Sequence, residues 1–383
     1  MKKGAKIAIL SGSLAIALVG GGFIGYGITN AVFQRKYPTS FNEDFTKIND
    51  IIYPEEPQIQ IEVPDGFEPK YEVLDSHLHF LDFLQTTDGF KNLTNAMDAA
   101  GVKDSILFGM PMSKMWDENS EIPPTYYLSN DDRCYYNPST DYKLANSLLC
   151  QSKEVQKRFY PFISGVNTTD RYAAMHIRQL LDTYPNFWCG IGEIMSRHDD
   201  LTALTYGDAP HVNSQIFKDI FDIGGEYGLP VLIHHNITGQ NVDTVIYKNE
   251  LKEALNYAAN KNCKVIWAHM GISRRVNVKK LSTIIDEMLR DHSNLYVDIS
   301  WVVYDYYFLD NFPDGFKSED TWGDWKNLIN KYQNRILIGT DKVGHWKTYP
   351  SEVIKYYRLL DDLTPEVANK ICRQNALSLI KKY

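Results

Sequence analysis

The sequence predicts an α/β chain folded as a (β/α)8 barrel behind an N-terminal transmembrane or signal segment. Short β-rich runs alternate with longer amphipathic ones from Tyr71 to the C-terminus. Eight such β runs match the strand count of a barrel, which usually takes about 250 residues before loop insertions. His, Asp or Glu stands at the end of five of them, where a barrel enzyme carries its chemistry. The 383 residues are 44% hydrophobic and 13% aromatic, which excludes a disordered or collagen-like chain. Five cysteines are too few for a disulfide-stapled miniprotein, and a formal charge of −8 argues against a general nucleic-acid binder.

In chain order, Lys2, Lys3 and Lys6 precede an uncharged stretch from Ile7 to Gln34. About 20 apolar residues are needed to span a bilayer, so residues 1–36 read as an uncleaved membrane anchor or a cleaved signal peptide. No small-x-small cleavage pattern lies between Gly27 and Lys36, which favours the anchor. Three lysines ahead of the span outnumber Arg35 and Lys36 behind it, so the body is expected outside the cytoplasm, tethered or secreted. Residues 37–70 mix prolines at 38, 54, 57, 64 and 69 with acidic residues and read as a linker. The catalytic body is expected over 71–383.

Its β candidates are 71–79, 105–110, 159–166, 188–194, 230–234, 264–269, 295–299 and 336–340. Helices are expected over 90–100, 171–184, 213–227, 249–260, 278–291, 351–360 and 365–381, with Gly101 and Gly228 as stops ahead of strands two and five. The largest insertion, 111–157, follows strand two and is rich in Tyr, Asn and Asp, as a lid or rim would be. Cys134 and Cys150 lie in it and leave a short disulfide open; Cys189, Cys263 and Cys372 fall in element patterns where buried thiols are ordinary. A doubly wound open sheet is the alternative architecture, but no glycine-rich phosphate loop follows the first strand.

The strand ends read Asp75-Ser76-His77-Leu78-His79, Gly190-Ile191-Gly192-Glu193, His234-His235-Asn236, Ala268-His269-Met270-Gly271 and Gly339-Thr340-Asp341. Residues i and i+2 of a strand face one side, so His77 and His79 both point into the barrel mouth. Joined by His234 and the Asp341 carboxylate, they form a nitrogen-rich ligand set suited to Zn²⁺ or a similar divalent metal. Without a metal or full hydrogen bonding, burying such rings is unfavourable. His235 faces the other way and is expected to be structural. Asp298, Arg197, His198 and the aromatic run 301–308 could reach the mouth or simply pack, as could Tyr126, Tyr127, Tyr135 and Tyr136.

From about Tyr71 to Tyr383 the sequence resembles the amidohydrolase superfamily, in particular its amidohydrolase-2 branch of aromatic-acid decarboxylases and lactone hydrolases. Besides the strand ends, the resemblance rests on Met97-Asp98-Ala99-Ala100-Gly101-Val102, Gly228-Leu229-Pro230-Val231, Asn294-Leu295-Tyr296-Val297-Asp298, Ile371 and Asn375-Ala376. It implies that His77, His79, His234 and Asp341 ligate metal. By the same resemblance, His269 binds a second metal or polarises substrate, and Asp341 also shuttles a proton. Glu193 departs toward two-metal relatives, where it would bridge two ions; otherwise it supports the ligands from outside. Lys342-Val343 replaces the family's common Tyr-Pro pair. The implied activity is metal-dependent hydrolysis of a small carbonyl-containing substrate (amide, lactone or ester). The alternatives are a one-metal decarboxylase, needing a cation such as Arg197 or Lys342 for the carboxylate, and a surface binding protein without turnover.

Overall fold

A computed structural model describes residues 56–380, except 199, 207, 208, 243, 313 and 314. The expected anchor or signal segment, 1–36, lies outside the described residues, as do linker residues 37–55. No helix among the described residues is long and apolar enough to cross a membrane. Residues 56–70 form no helix or strand but are tied down. The Glu56 carboxylate accepts from the amides of Phe90 and Lys91, both at 2.9 Å, at the start of helix α1 (Gly89–Ala99).

The chain is an α/β fold around a parallel sheet whose segments follow the alternation read from the sequence. They are β1 (Val73–His79), β2 (Val102–Phe108), β5 (Phe159–Ile163), β6 (Gly190–Met195), β7 (Val231–His234), β8 (Val265–Trp267), β9 (Leu295–Asp298), β10 (Ile336–Leu337) and β11 (Lys342–Val343). The sheet order is β10-β9-β8-β7-β6-β5-β2-β1-β11. Its two ends, β10 and β11, are halves of one stretch of chain. The Ser76 amide donates to Ile338 O at 2.9 Å and the Asp341 amide to His77 O at 2.8 Å, so that stretch pairs with β9 and with β1. This is the strand order expected of a (β/α)8 barrel. A separate hairpin, β3 (Met112–Lys114) with β4 (Cys134–Tyr136), stands in the insertion.

The core has two layers. Leu74, Ile106, Phe108, Phe162, Leu232 and Ile266 fill the interior of the sheet, and Ala376 and Leu379 of the C-terminal segment pack with them. A larger layer separates the sheet from α1, α2 (Ser139–Leu149), α3 (Ala173–Thr183), α4 (Gln215–Tyr227), α5 (Lys248–Asn260), α6 (Leu281–Asp291), α7 (Trp322–Lys331) and α8 (Tyr349–Asp361). Gly228 closes α4 in the left-handed region (φ 65°), as a glycine stop should. The last expected helix, 365–381, runs without interruption over residues 365–379 with a π-turn at Lys370–Gln374 inside it, and residue 381 lies outside the described residues.

Strand parity alone does not explain the mouth. Leu74 belongs to the interior layer, so strict alternation would aim Ser76 and Leu78 inward and the two histidines outward. The β1–β2 register shifts between Asp75 and Leu78, three residues on β1 advancing against two on β2. This bulge turns His77 and His79 to the interior and sends Leu78 into the outer layer.

Gly339 lies where the closing stretch crosses β1; a Cβ there would sit 2.6 Å from His77 Cβ. Gly339→Ala is therefore expected to lower stability by about 1–3 kcal/mol through overpacking. A urea midpoint equal to that of the parent chain would show that the crossing has slack.

Candidate metal centre

The six residues singled out at the strand ends converge at one end of the sheet. His77 and His79 come from β1, Glu193 from β6 and His234 from the end of β7. His269 is not on a strand. It occupies a tight turn, Ala268–Gly271, with φ 53°, and Asp341 sits between β10 and β11 with φ 56°. Non-glycine residues rarely adopt this region, and at a site it serves to aim side chains.

Glu193 stands at the centre. Its Oε2 lies 3.4 Å from His79 Nε2 and 3.7 Å from His77 Nε2, while its Oε1 lies 3.1 Å from His234 Nδ1 and 3.4 Å from His269 Nε2. Asp341 Oδ1 is 3.3 Å from His77 Nε2 and 3.2 Å from His79 Nε2. Three groups have donor atoms within 4.8 Å of one another, His77–His79–Asp341, Glu193–His234–His269 and His77–His269–Asp298; the first two contain the carboxylates that face the cavity. The sequence reading joined His234 to the first group; in the fold it shares Glu193 with His269.

Several of these contacts are long for hydrogen bonds, whose usual range is about 2.7–3.2 Å. Two ligands about 2.0–2.2 Å from one cation stand roughly 2.8–3.6 Å apart. His77 Nε2 makes no hydrogen bond although fully buried and flanked by two carboxylates. The far ring nitrogens, in contrast, are engaged. His79 Nδ1 meets Gly109 O at 2.8 Å, His77 Nδ1 meets Asp298 Oδ2 at 3.0 Å, and His269 Nδ1 meets Ser300 Oγ at 2.6 Å. His234 Nε2 meets Asn236 Oδ1 at 3.0 Å. Because a carbonyl only accepts, His79 carries a proton on Nδ1, which leaves its Nε2 as the nitrogen aimed at the carboxylates. The donor set and the orphaned His77 nitrogen thus fit a divalent metal.

Charge balance agrees. Burial alone would lower the His77 pKa, but the Asp298 and Glu193 carboxylates outweigh it and hold the ring well above the ordinary histidine value. His79 is raised likewise, against burial, by Asp341 and Glu193. Burial pushes Glu193 and Asp341 upward, yet the imidazoles keep both below the usual carboxylate range. Burial leaves His269 below the histidine value.

Other residues separate into roles. His235 packs behind the site between Ser196 Oγ (3.1 Å) and Tyr247 O (3.2 Å), and burial lowers its pKa to about 4. Arg197 is held by both oxygens of Glu250, at 2.7 and 3.0 Å, and lies over the Tyr247 ring. Lys342 donates to Thr348 Oγ1 at 2.7 Å. His198 stacks on His234 with centroids 4.3 Å apart. Asp298 also accepts the His269 amide at 2.9 Å, so one buried carboxylate orients both histidines. Asp75 was missed as a positioning group. It accepts the amides of His77 and Thr340, both at 3.0 Å, Thr340 Oγ1 at 2.7 Å and Tyr349 Oη at 2.9 Å. Its spacing, two residues before His77, was the available signal.

The ligand groups open into a cavity of about 130 Å³ walled by Phe83, Met110, Tyr126, Tyr127, Met195 and Trp301, with His198 also on its surface. The insertion forms part of that wall. Lys114 anchors it, its buried ammonium donating to the carbonyls of Tyr127 (2.9 Å), Asn130 (2.9 Å) and Asp132 (2.5 Å). Cys134 carries no disulfide; it is buried in β4, so the bridge to Cys150 that the sequence left open does not form.

No family model matches the chain, and no curated protein shows similarity to it. Solved structures do. Structural neighbours include amidohydrolase-superfamily members. A dihydroorotase from Campylobacter jejuni is 16% identical, covering 82% of this chain and 85% of its own at a TM-score of 0.48. An L-hydantoinase (dihydropyrimidinase) from Arthrobacter aurescens is 12% identical, with coverage of 80% and 70% and a TM-score of 0.48. A 2,6-dihydroxybenzoate decarboxylase is 15% identical, with coverage of 84% and 99% and a TM-score of 0.42. Likenesses this remote assign no activity to this chain.

At the rim, His345 clamps the loop after β1 to the segment after β11 through Asp82 (3.1 Å) and Asp88 (3.0 Å). Its hydrogen bond to Asp82, aided by Asp88, raises the imidazole to about 9. A raised histidine stabilises the fold below its unfolded pKa of about 6.5 and loses that contribution as pH rises through the folded value. Stability should therefore fall between about pH 6.5 and 9, and His345→Gln should flatten that slope. An unchanged slope in thermal melts of the variant would refute the clamp.

Proposed function

We propose that this chain is a metal-dependent hydrolase of amidohydrolase type, built on a (β/α)8 barrel and acting on a small carbonyl-containing substrate such as a lactone, ester or amide. The observation that carries the reading is the Glu193 carboxylate, with one oxygen toward His77 and His79 and the other toward His234 and His269. A carboxylate so placed could serve two cations at once. His77, His79 and Asp341 would hold one and His234 and His269 the other. The imidazole-and-carboxylate donor set favours Zn²⁺.

When bound, such cations lower the pKa of a water and polarise a carbonyl oxygen. The protein's own part is proton handling and alignment. Asp341 is the ligand-group carboxylate with exposure toward the mouth, its side chain 14% accessible, and it is held ionised. It takes the proton from the attacking water and returns it to the leaving group as the C–O or C–N bond breaks. His269, its Nδ1 held by Ser300 Oγ, would present Nε2 to the second cation at the cavity wall. Asp298 and Gly109 O fix the rings of His77 and His79 so that neither reorients during turnover.

The decarboxylase alternative needs a cation for the substrate carboxylate. Arg197 is committed to Glu250 and Lys342 to Thr348, and among the described residues lining the cavity there is no Lys or Arg. These contacts support hydrolysis of a neutral substrate. The predicted placement outside the cytoplasm, through an anchor or export signal in 1–36, rests on the sequence alone.

Metal content of the full-length chain decides between one ion and two. Two equivalents are expected, with His234→Ala losing one and Glu193→Ala weakening both. A single equivalent indifferent to Glu193 would reject the bridge. In the loaded protein, Asp341→Asn should lower kcat by about 10²–10⁴-fold, as removal of a general acid–base does; near-parent turnover would remove Asp341 from proton transfer.

A further inference from the structure

We infer that the substrate is a neutral molecule with a flat, apolar ring system next to its carbonyl, received by a cavity lined by Trp301 and an aromatic trio that includes two tyrosines of the insertion. This rests on the hydrolase reading and specifies its substrate class. Phe83, Tyr126 and Tyr127 contact one another with ring centroids 4.5–5.5 Å apart, and all three line the cavity. Trp301 lines it too, its ring 5.2 Å from that of His269. An aromatic wall therefore adjoins the ligand groups, and Met110 and Met195 add deformable apolar surface.

Two further facts separate this wall from ordinary core packing. Trp301 has φ 53°, a conformation that a bulky side chain enters only when its surroundings impose it, and such strain collects at ligand-binding positions. The charge beside the wall is also paired. The nearby cation, Arg274, donates to Asp200 Oδ2 at 3.0 Å and to Tyr127 Oη, and lies over the Tyr127 and Trp301 rings with its guanidinium carbon 5.7 and 5.9 Å from their centroids. Its charge is answered by Asp200, and its contact braces the two rings instead of presenting a site for a substrate anion.

Binding can be read without turnover. Calorimetry on the full-length, metal-free chain with 2-tetralone, cyclohexanone and tetralin-2-carboxylate compares a flat neutral ketone, a ketone without the fused ring and an anion of the same size. Tetralone is expected to bind at least tenfold tighter than either, and to lose at least tenfold in Trp301→Gly and in Tyr126→Ala. Glycine adopts φ 53° freely, so Trp301→Gly removes the ring without forcing the turn; Tyr126 is 43% exposed, so its truncation spares the core. Equal binding of the two ketones, tighter binding of the carboxylate, or tetralone affinity untouched in both variants would overturn the inference. The two readings fail separately. Selective tetralone binding with no hydrolysis of 3-isochromanone by the metal-loaded chain would reject the hydrolase and leave the wall's selectivity standing.

Discussion

The site depends on one buried charge. Glu193 is 2% exposed, and an ionised carboxylate that deep is strongly disfavoured unless its surroundings answer it. Four imidazoles do so, two to each oxygen. That requirement explains why histidines from β1, the end of β7 and the turn after β8 must all reach one point. Removing any of them leaves part of the carboxylate uncompensated, and the reverse holds for His77, which relies on Asp298 and Glu193 for its raised pKa.

Around this centre, two more buried carboxylates hold backbone amides. Asp75 joins β1 to the closing stretch by accepting the amides of His77 and Thr340, so the strand that supplies two histidines is fastened to the segment that supplies Asp341. Asp298 does the same between β9 and the turn holding His269. The left-handed conformation of His269 is thereby held by an amide–carboxylate bond, and its ring by Ser300, whose hydroxyl also donates to Asp298. Alignment comes from bonds that a ligand need not form.

Much of this was legible in the sequence for a definite reason. Strand ends announce themselves by residue type, and histidine, glutamate and aspartate at five β-run ends are hard to place elsewhere in an apolar interior. What stayed hidden needed a partner strand or a distant segment to be seen. The bulge in β1 exists only relative to β2, and counting by twos from His77 to His79 gave the right pair while concealing that Leu74 is in the opposite phase. The split of His234 from the first ligand group depends on where Glu193 divides its two oxygens. Helix α7 could have been found, since Thr321 and Asp324 form a capping box ahead of it. The insertion's α2 and hairpin could not, because Lys114 is held by carbonyl groups that any residue supplies.

The candidate ligand groups and the aromatic wall are built from different parts of the chain. The ligands stand at or just beyond strand ends, whose positions the sheet fixes, whereas the aromatic wall belongs to loops after β1 and β9 and to the insertion. The two meet at Asp200, which accepts from Tyr127 at 3.1 Å and pairs with His198 at 3.0 Å, while His198 stacks on His234. A chain of direct contacts therefore runs from the tyrosine that shapes the cavity to a histidine beside Glu193. Contact is not coupling. It does mean that an insertion of another shape would remove the Tyr127 bond to Asp200, the residue that pairs with His198 beside His234.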